Sequence, residues 1–347
     1  MQDYYRALVT GERRGPTAAL QRLGLHLASV PYGVATAVRN RLFDRGWKQV
    51  QRASVPVVSV GNLTVGGTGK TPCVEYVARR YRQWDRQVAI LSRGYGSDHG
   101  PNDEALVLED NLSDVPHLQG PDRVALASIA VEELDSDVLV LDDGFQHRRL
   151  ARDLDLVLVD ATRPWGFGYL LPRGLLRESP SGLRRAGAIL LTRCDQAVSG
   201  AIARLKDQVT RLAPQTPVIE TSHQATAWVD AEQRTSPLER FQGRSVAAFC
   251  GLGNPDAFRR TLHDLGMTVR AFRTFPDHHA YTRPDVEALR TWARQEATEG
   301  VVVTTQKDLV KLRLTRLGEG ELWALRIQLR IHAGQDALDR KLKEALG

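Results

Sequence analysis

Gly66, Gly67, Gly69, Lys70 and Thr71 are the residues whose types and spacing most directly imply chemistry. They close the stretch Val57-Val-Ser-Val-Gly-Asn-Leu-Thr-Val-Gly-Gly-Thr-Gly-Lys-Thr71, an apolar run that enters a glycine-rich turn. Glycines without a Cβ let backbone N–H groups close around an anion, and a helix starting at the Gly-Lys-Thr end aims its positive dipole at the same point. Residues Thr64, Val65, Gly66, Gly67, Thr68, Gly69, Lys70 and Thr71 are therefore expected to bind nucleotide. In that pattern Lys70 reaches the β- and γ-phosphates and the Thr71 hydroxyl ligates magnesium. The usual G-x-x-x-x-G-K-[ST] places Gly where this chain has Thr64. A glycine-rich helix entry that binds nothing competes with this reading but leaves the complete Gly-Lys-Thr end unexplained.

A second feature supplies the partner that such a loop needs. Val138-Leu-Val-Leu-Asp142-Asp143 reads as a buried strand ending in two carboxylates. Phosphoryl-transfer proteins of this type hold magnesium at such a strand end. Two further clusters carry groups able to move a proton. Asp103-Glu104 follows the turn Ser92-Arg-Gly-Tyr-Gly96 by a short loop, and Phe275-Pro-Asp-His-His-Ala-Tyr281 occupies a turn far along the chain. Aspartate can take a hydroxyl proton and histidine titrates near neutrality, so the two meeting in a cleft would form a base for phosphoryl transfer. Nothing in the order of residues brings them together, and each taken singly is an ordinary turn or capping group.

The elements around these residues alternate as in a doubly wound α/β protein. Expected helices cover 74–84, 124–134, 255–265, 283–295 and 333–346. Expected strands cover 87–92, 154–159, 188–192, 245–250, 268–274 and 300–304. The fold class is thus α/β, a P-loop NTPase-type, mostly parallel sheet with a second, smaller α/β domain and an N-terminal amphipathic helix. Polar residues 223–244, with Pro237 and Gly243, suit a linker or a short hairpin between domains. The expected organisation is an N-terminal segment over 1–45, a kinase-type domain over 46–222, the linker, and a second domain over 245–347 that closes over the active site.

Composition is that of a globular protein: 347 residues, 42% hydrophobic and 25% charged, which excludes a disordered chain. Cys73, Cys194 and Cys250 are too few for a disulfide scaffold and too far apart for a zinc motif, which suits a reducing compartment. Lys and Arg number 47 against 41 acidic residues, a formal net charge of +6 that favours anionic partners.

Residues 23–38 contain no Asp, Glu, Lys or Arg, and Leu20, Leu23, Leu27, Val30, Val34 and Val38 recur at helical spacing. Sixteen helical residues span about 24 Å, short of the roughly 30 Å hydrocarbon core, so the segment is not expected to cross a bilayer. Nor does it resemble a signal peptide. Arg13, Arg14 and Arg22 precede the stripe, and Arg39, Arg41, Arg45 and Lys48 follow it. A helix lying in an anionic interface and a helix packed on its own domain both account for this pattern.

Taken together, Val60 to Pro72, Leu91-Ser-Arg-Gly-Tyr-Gly96, Asp103-Glu104, Asp142-Asp-Gly-Phe-Gln-His147, Leu171-Pro-Arg-Gly-Leu-Leu-Arg-Glu178, Cys250-Gly251, Phe275-Pro-Asp-His-His279 and Gln306-Lys-Asp308 resemble the tetraacyldisaccharide 4'-kinase family over nearly the whole chain. The resemblance implies ATP and magnesium as cofactors. It implies phosphorylation of the 4'-hydroxyl of an anionic acylated glucosamine disaccharide 1-phosphate to lipid IV-A, at the cytoplasmic face of the bacterial inner membrane. It assigns Lys70 and Thr71 to phosphates and magnesium, Asp142 and Asp143 to the acidic pair, and Gln146 and Glu178 to the metal environment. Asp103 supported by His278 becomes the base for the sugar hydroxyl, with His279 as the other candidate. Arg173, Leu175 and Gln306 depart from the family's usual residues in ways that touch the acceptor pocket. A partition-type membrane ATPase is the alternative, but it needs a Lys where this chain has Val65. A nucleic-acid-binding ATPase lacks an aromatic stacking platform, so no nucleic-acid partner is expected.

Overall fold

The computed structural model describes residues 2–94 and 103–347. Two compact units emerge, one formed by residues 1–93, 118–222 and 330–347, the other by 94–117 and 223–329.

The first unit is built on parallel strands whose runs of Val, Leu and Ile are buried on both faces, as a helix-covered sheet requires. These are β1 (Val57–Asn62), β2 (Val88–Ser92), β4 (Val138–Asp142), β5 (Leu154–Asp160), β6 (Ala188–Thr192) and the start of β7 (Val218–Val229), while the short, half-buried β3 (His117–Gln119) lies at the edge. β1 lies between β4 and β5, giving the order β7-β6-β5-β1-β4-β2-β3. Val60 is paired with Asp142, so the glycine-rich loop and the acidic pair leave the carboxyl ends of adjacent strands. That strand end is where open α/β sheets bind ligands. Four helices join this sheet unit: α3 (Lys70–Arg82), α5 (Arg123–Glu132), α6 (Ala201–Leu212) and α10 (Gln335–Glu344).

Ahead of them stand α1 (Gln2–Thr10) and the long α2 (Pro16–Asp44), which starts with Pro at its first position and carries Pro31 within it. No helix among the described residues is long and apolar enough to cross a membrane. Leu20, Leu23, Leu27, Val30, Val34 and Val38 are all exposed, by 51–70%. The polar side of α2 is the one that packs: Ser29 donates to Leu170 O, Tyr32 to Arg177 O and Asn40 to Glu178.

In the second unit, β9 (Ser245–Cys250) sits between β10 (Thr268–Thr274) and β11 (Val301–Thr305), and β11 pairs in parallel with β13 (Gly320–Ala333). The short β12 (Arg316–Leu317) closes a hairpin on β13, and β8 (Thr235–Ser236) one on β7. Helices α7 (Pro255–Asp264) and α8 (Arg283–Glu296) begin at side-chain caps, Asn254 and the Thr282/Asp285 capping box.

Three expectations are corrected. Residues 223–244 take the hairpin form and not the linker: they hold the end of β7, β8 paired on it and a short 3₁₀ turn, with Trp228 and Phe241 fully buried against Trp323. Asp103 and Glu104 begin a helix, α4 (Asp103–Asn111), that belongs to the second unit. There α4 packs on α9 (Gln306–Leu312), with Lys307 ion-paired to Glu104 at 2.6 Å and Gln306 bonded to Asn111 at 3.0 Å. The closing helix α10 lies with the first unit, Tyr81 donating to Leu342 O and Arg80 to Asp339.

Candidate active site

Gly69 is the N-cap of α3 with left-handed φ 87° and supplies no side-chain cap. The first-turn amides of α3 are thus left for an anion, which a Ser or Asp cap would have occupied. Gly66 adopts φ 115°, a conformation glycine reaches without strain, and a Cβ at Gly66 or Gly67 would meet no atom within 4 Å. The loop is an open cradle, braced from behind: Asn62 donates to Thr68 Oγ1 at 2.8 Å and Thr192 donates to Thr68 O at 2.9 Å. Arg193, itself ion-paired with Asp160, donates to Gly67 O at 2.6 Å. Thr64 forms a bridge with Leu176, Val65 N donates to Leu175 O, and the Val65 side chain is exposed. Thr71 is buried at the start of α3. These features fit a nucleotide triphosphate.

Asp142 ends β4, buried, and Asp143 follows with φ 53°, a left-handed conformation that aspartate tolerates better than most residues. Gly144 turns the chain tightly: a Cβ there would lie 2.6 Å from Ser59 Oγ. The Asp143 carboxylate faces two cations. Lys70 Nζ stands 3.6 Å away, and Arg177 donates to both oxygens at 2.8 and 2.9 Å. Burial pushes the Asp143 carboxyl up, but Lys70 and Arg177 outweigh it and hold it below the usual range.

Arg177 is the residue that sequence reasoning left without a role. Its guanidinium also bonds Asn62 Oδ1 at 2.7 Å and Gln146 Oε1 at 3.1 Å, so one side chain ties together β1, the acidic turn and segment 171–178. Its place in Leu171-Pro-Arg-Gly-Leu-Leu-Arg-Glu178, directly before an acidic residue assigned to the site, is the signal that could have pointed to it.

Gln146 donates to Asn62 O and to Glu178 Oε1. Glu178 is buried, and its carboxylate accepts from Arg185 at 2.8 and 3.0 Å, from Asn40 at 3.0 Å and from Gln146 at 3.0 Å. Both Glu178 oxygens are therefore engaged by protein donors. Among the described residues no group of three or more His, Cys, Asp and Glu side chains is disposed to hold a metal.

In the second unit, Asp103 and His278 meet. His278 Nδ1 lies 3.0 Å from each Asp103 oxygen, and Lys311 Nζ lies 3.7 Å from Oδ2. Burial pushes the Asp103 carboxyl up, yet the His278 bond and the Lys307 and Lys311 charges hold it at about 2. The same bond raises His278 above its ordinary value. His278 adopts φ 58°, a backbone conformation sparsely populated outside glycine. His279 is engaged elsewhere: its Nε2 bonds Asp285 at 3.2 Å and its ring stacks on Phe275 at 4.9 Å. Asp308, wholly buried, accepts from Gly251 N, Thr305 and Tyr281, which gives the Gln306-Lys-Asp308 motif its reason. Tyr95 and Gly96 of the Ser92–Gly96 motif lie outside the described residues.

A strand, an uncapped glycine loop, a helix and an acidic neighbouring strand end define the first unit as a P-loop phosphoryl-transfer protein. Comparison with known proteins narrows the class. The family model for tetraacyldisaccharide-1-P 4'-kinase matches residues 21–347, and the chain belongs to that family. It is 43% identical to the tetraacyldisaccharide 4'-kinase of Anaeromyxobacter dehalogenans (strain 2CP-C), covering 95% of this chain and 92% of that protein. The enzyme of the same name from Syntrophus aciditrophicus is 38% identical, covering 86% and 85%. Among solved structures, that of LpxK from Aquifex aeolicus in complex with ATP superposes with a TM-score of 0.75 at 30% identity, covering 94% of this chain and all of that one.

Proposed function

We infer that this chain is an ATP-dependent kinase that phosphorylates the 4'-hydroxyl of a tetraacyl glucosamine disaccharide 1-phosphate, giving lipid IV-A. The observation that carries the reading is the uncapped glycine loop beside Asp142 and Asp143, in a chain that belongs to this kinase family from residue 21 to its end. Family membership disfavours a partition-type ATPase.

The amides of Gly66 to Thr71 cradle the phosphates, and Lys70 turns from Asp143 toward the transferring phosphoryl group, whose charge it stabilises. Thr71 and Asp142 would hold magnesium, which supplies charge neutralisation across the β- and γ-phosphates when bound. Asp143 holds Lys70 and Arg177 in place, and the saturated Glu178 carboxylate supports a positioning role for that residue. The Asp103 carboxylate, ionised at neutral pH and fixed by His278, accepts the hydroxyl proton as the new O–P bond forms and the bond to ADP breaks. The exposed apolar stripe of α2, flanked by arginines, supports peripheral attachment to an anionic membrane, at the cytoplasmic face where ATP is available.

The test is transfer of labelled phosphate from ATP to tetraacyl disaccharide 1-phosphate in mixed micelles, run beside ATP hydrolysis without lipid. Lipid-linked label that disappears in Lys70→Ala supports the reading. Hydrolysis alone, indifferent to the lipid, overturns it.

A further inference from the structure

The face by which α2 grips the first unit leads to one place. At about 100° per residue, Ser29, Tyr32, Gly33, Thr36, Asn40 and Phe43 fall on one side of the helix, nearly opposite the exposed stripe of Leu20, Leu23, Leu27, Val30, Val34 and Val38. Tyr32 donates to Arg177 O at 2.9 Å, Arg39 Nη2 to Gln146 O at 2.6 Å, and Asn40 Nδ2 to Glu178 Oε2 at 3.0 Å. Arg148, two residues past Gln146, returns a bond to Asn40 O at 3.0 Å and another to Asp44 at 2.7 Å. Besides Ser29, which bonds Leu170 O, residues two turns apart on α2, Tyr32 and then Arg39 and Asn40, hold Arg177, Gln146 and Glu178, which bond one another and through Arg177 reach Asp143 and Asn62.

We propose that Tyr32, Arg39 and Asn40 are positioning residues for phosphoryl transfer, through which the helix bearing the exposed apolar stripe fixes Arg177, Gln146 and Glu178 around Asp143. The inference rests on the kinase reading of the P-loop and acidic pair. Arg177 reaches Asp143 and Asn62 with a two-pronged guanidinium whose geometry tolerates little displacement of its own backbone, and Tyr32 anchors that backbone. Glu178 in turn takes up the outward side of Gln146, whose inward oxygen accepts from Arg177. Losing the Asn40 amide leaves one Glu178 oxygen short of a donor inside the protein, and Arg185 and Gln146 shift to compensate. Each substitution therefore moves the charge that faces Asp143 and Lys70, while none of the three side chains itself bonds Gly66 to Thr71.

The experiment measures kcat, KM for ATP, nucleotide affinity and vesicle binding for Tyr32→Phe, Asn40→Ala, Arg39→Ala and Arg39→Lys in the full chain, with saturating lipid in mixed micelles. The inference requires kcat to fall between roughly 5- and 100-fold in the first three variants. KM for ATP, nucleotide affinity and vesicle binding stay within twofold of wild type, and Arg39→Lys, which keeps a donor for Gln146 O, recovers most of the loss. Tyr32→Phe removes a single hydroxyl and keeps the ring, so its folding is secure. Wild-type kcat in Tyr32→Phe and Asn40→Ala overturns the proposal, as does an equal loss in Arg39→Ala and Arg39→Lys. If wild type itself transfers no phosphate to lipid, or Lys70→Ala transfers it normally, the kinase reading fails instead.

Discussion

His278 Nδ1 sits 3.0 Å from both carboxylate oxygens of Asp103, across 175 residues of sequence and within one compact unit. This placement fixes the ring and holds Asp103 ionised, and we propose that the two act as a single group. Asp103→Asn and His278→Ala should each lower kcat strongly, by roughly 100-fold or more, with little change in ATP affinity. The double variant should be hardly worse than the worse single one. Multiplying losses, or a nearly silent His278→Ala, would dissolve the partnership.

The same pair sets a pH window for stability. His278 is raised in the folded protein, so its contribution is complete below the ordinary 6.5 and fades as pH rises through the raised value. Asp103 is lowered, so its contribution is complete above the ordinary 3.8 and fades as pH falls toward about 2. The difference in Tm between wild type and His278→Ala should therefore be widest near pH 5, which lies between those limits, and should narrow as pH rises past 6.5 and through the raised value. A difference that grows with rising pH would contradict the ion pair.

Arg177 offers a sharper test of the first unit. Its guanidinium bonds both Asp143 oxygens and also Asn62 and Gln146, a fork that lysine cannot reproduce. Arg177→Ala should lower kcat by roughly 100-fold or more, and Arg177→Lys should recover only part of it. Lys70→Ala should be at least as severe. Full recovery in Arg177→Lys would mean that only charge matters at that position.

How much of this was legible in the sequence follows the range of the interactions. β1, the loop to Thr71 and the β4 end at Asp142 are local patterns, and they form where the spacing of Val, Gly and Asp places them. Asp103 and His278 were legible as chemistry, but as partners only through the family resemblance, because α4 joins the second unit through Lys307–Glu104 and Gln306–Asn111. Residues 223–244 read as a linker because polar residues surround Trp228 and Phe241, and only the fold shows those rings buried. The long β13 was missed although Leu325-Arg-Ile-Gln-Leu-Arg-Ile-His332 alternates apolar and polar residues strictly, the signal of a half-buried strand. For α2 the sequence left two readings open. Its polar side packs on the protein and its apolar stripe does not.

Trp228 gives a stability prediction for the segment that read as a linker or short hairpin. The ring is fully buried, lies edge-on to Phe241 at 5.3 Å, and donates from Nε1 to Leu238 O at 3.2 Å. Trp228→Ala should destabilise the protein by about 3–5 kcal/mol, the cost of a large aromatic cavity, measured by urea denaturation. A true linker position would lose less than about 0.5 kcal/mol.

The stripe on α2 is tested best by charge rather than by deletion, since removing residues 1–45 would also strip Tyr32, Arg39 and Asn40 from Arg177, Gln146 and Glu178. Leu27 and Val34 are 62% and 57% exposed and lie on the side of the helix turned away from those bonds. Replacing both with Glu removes apolar surface that would enter an interface, places two anions against anionic lipid, and breaks no buried contact. Like charge near such a surface costs about 1 kcal/mol per group, and the lost apolar transfer adds to it. Leu27→Glu/Val34→Glu should therefore bind vesicles containing anionic lipid at least tenfold more weakly, with Tm unchanged. The loss should be smaller on neutral vesicles. Equal flotation of the variant and the wild type on both would show that the stripe does not meet a membrane.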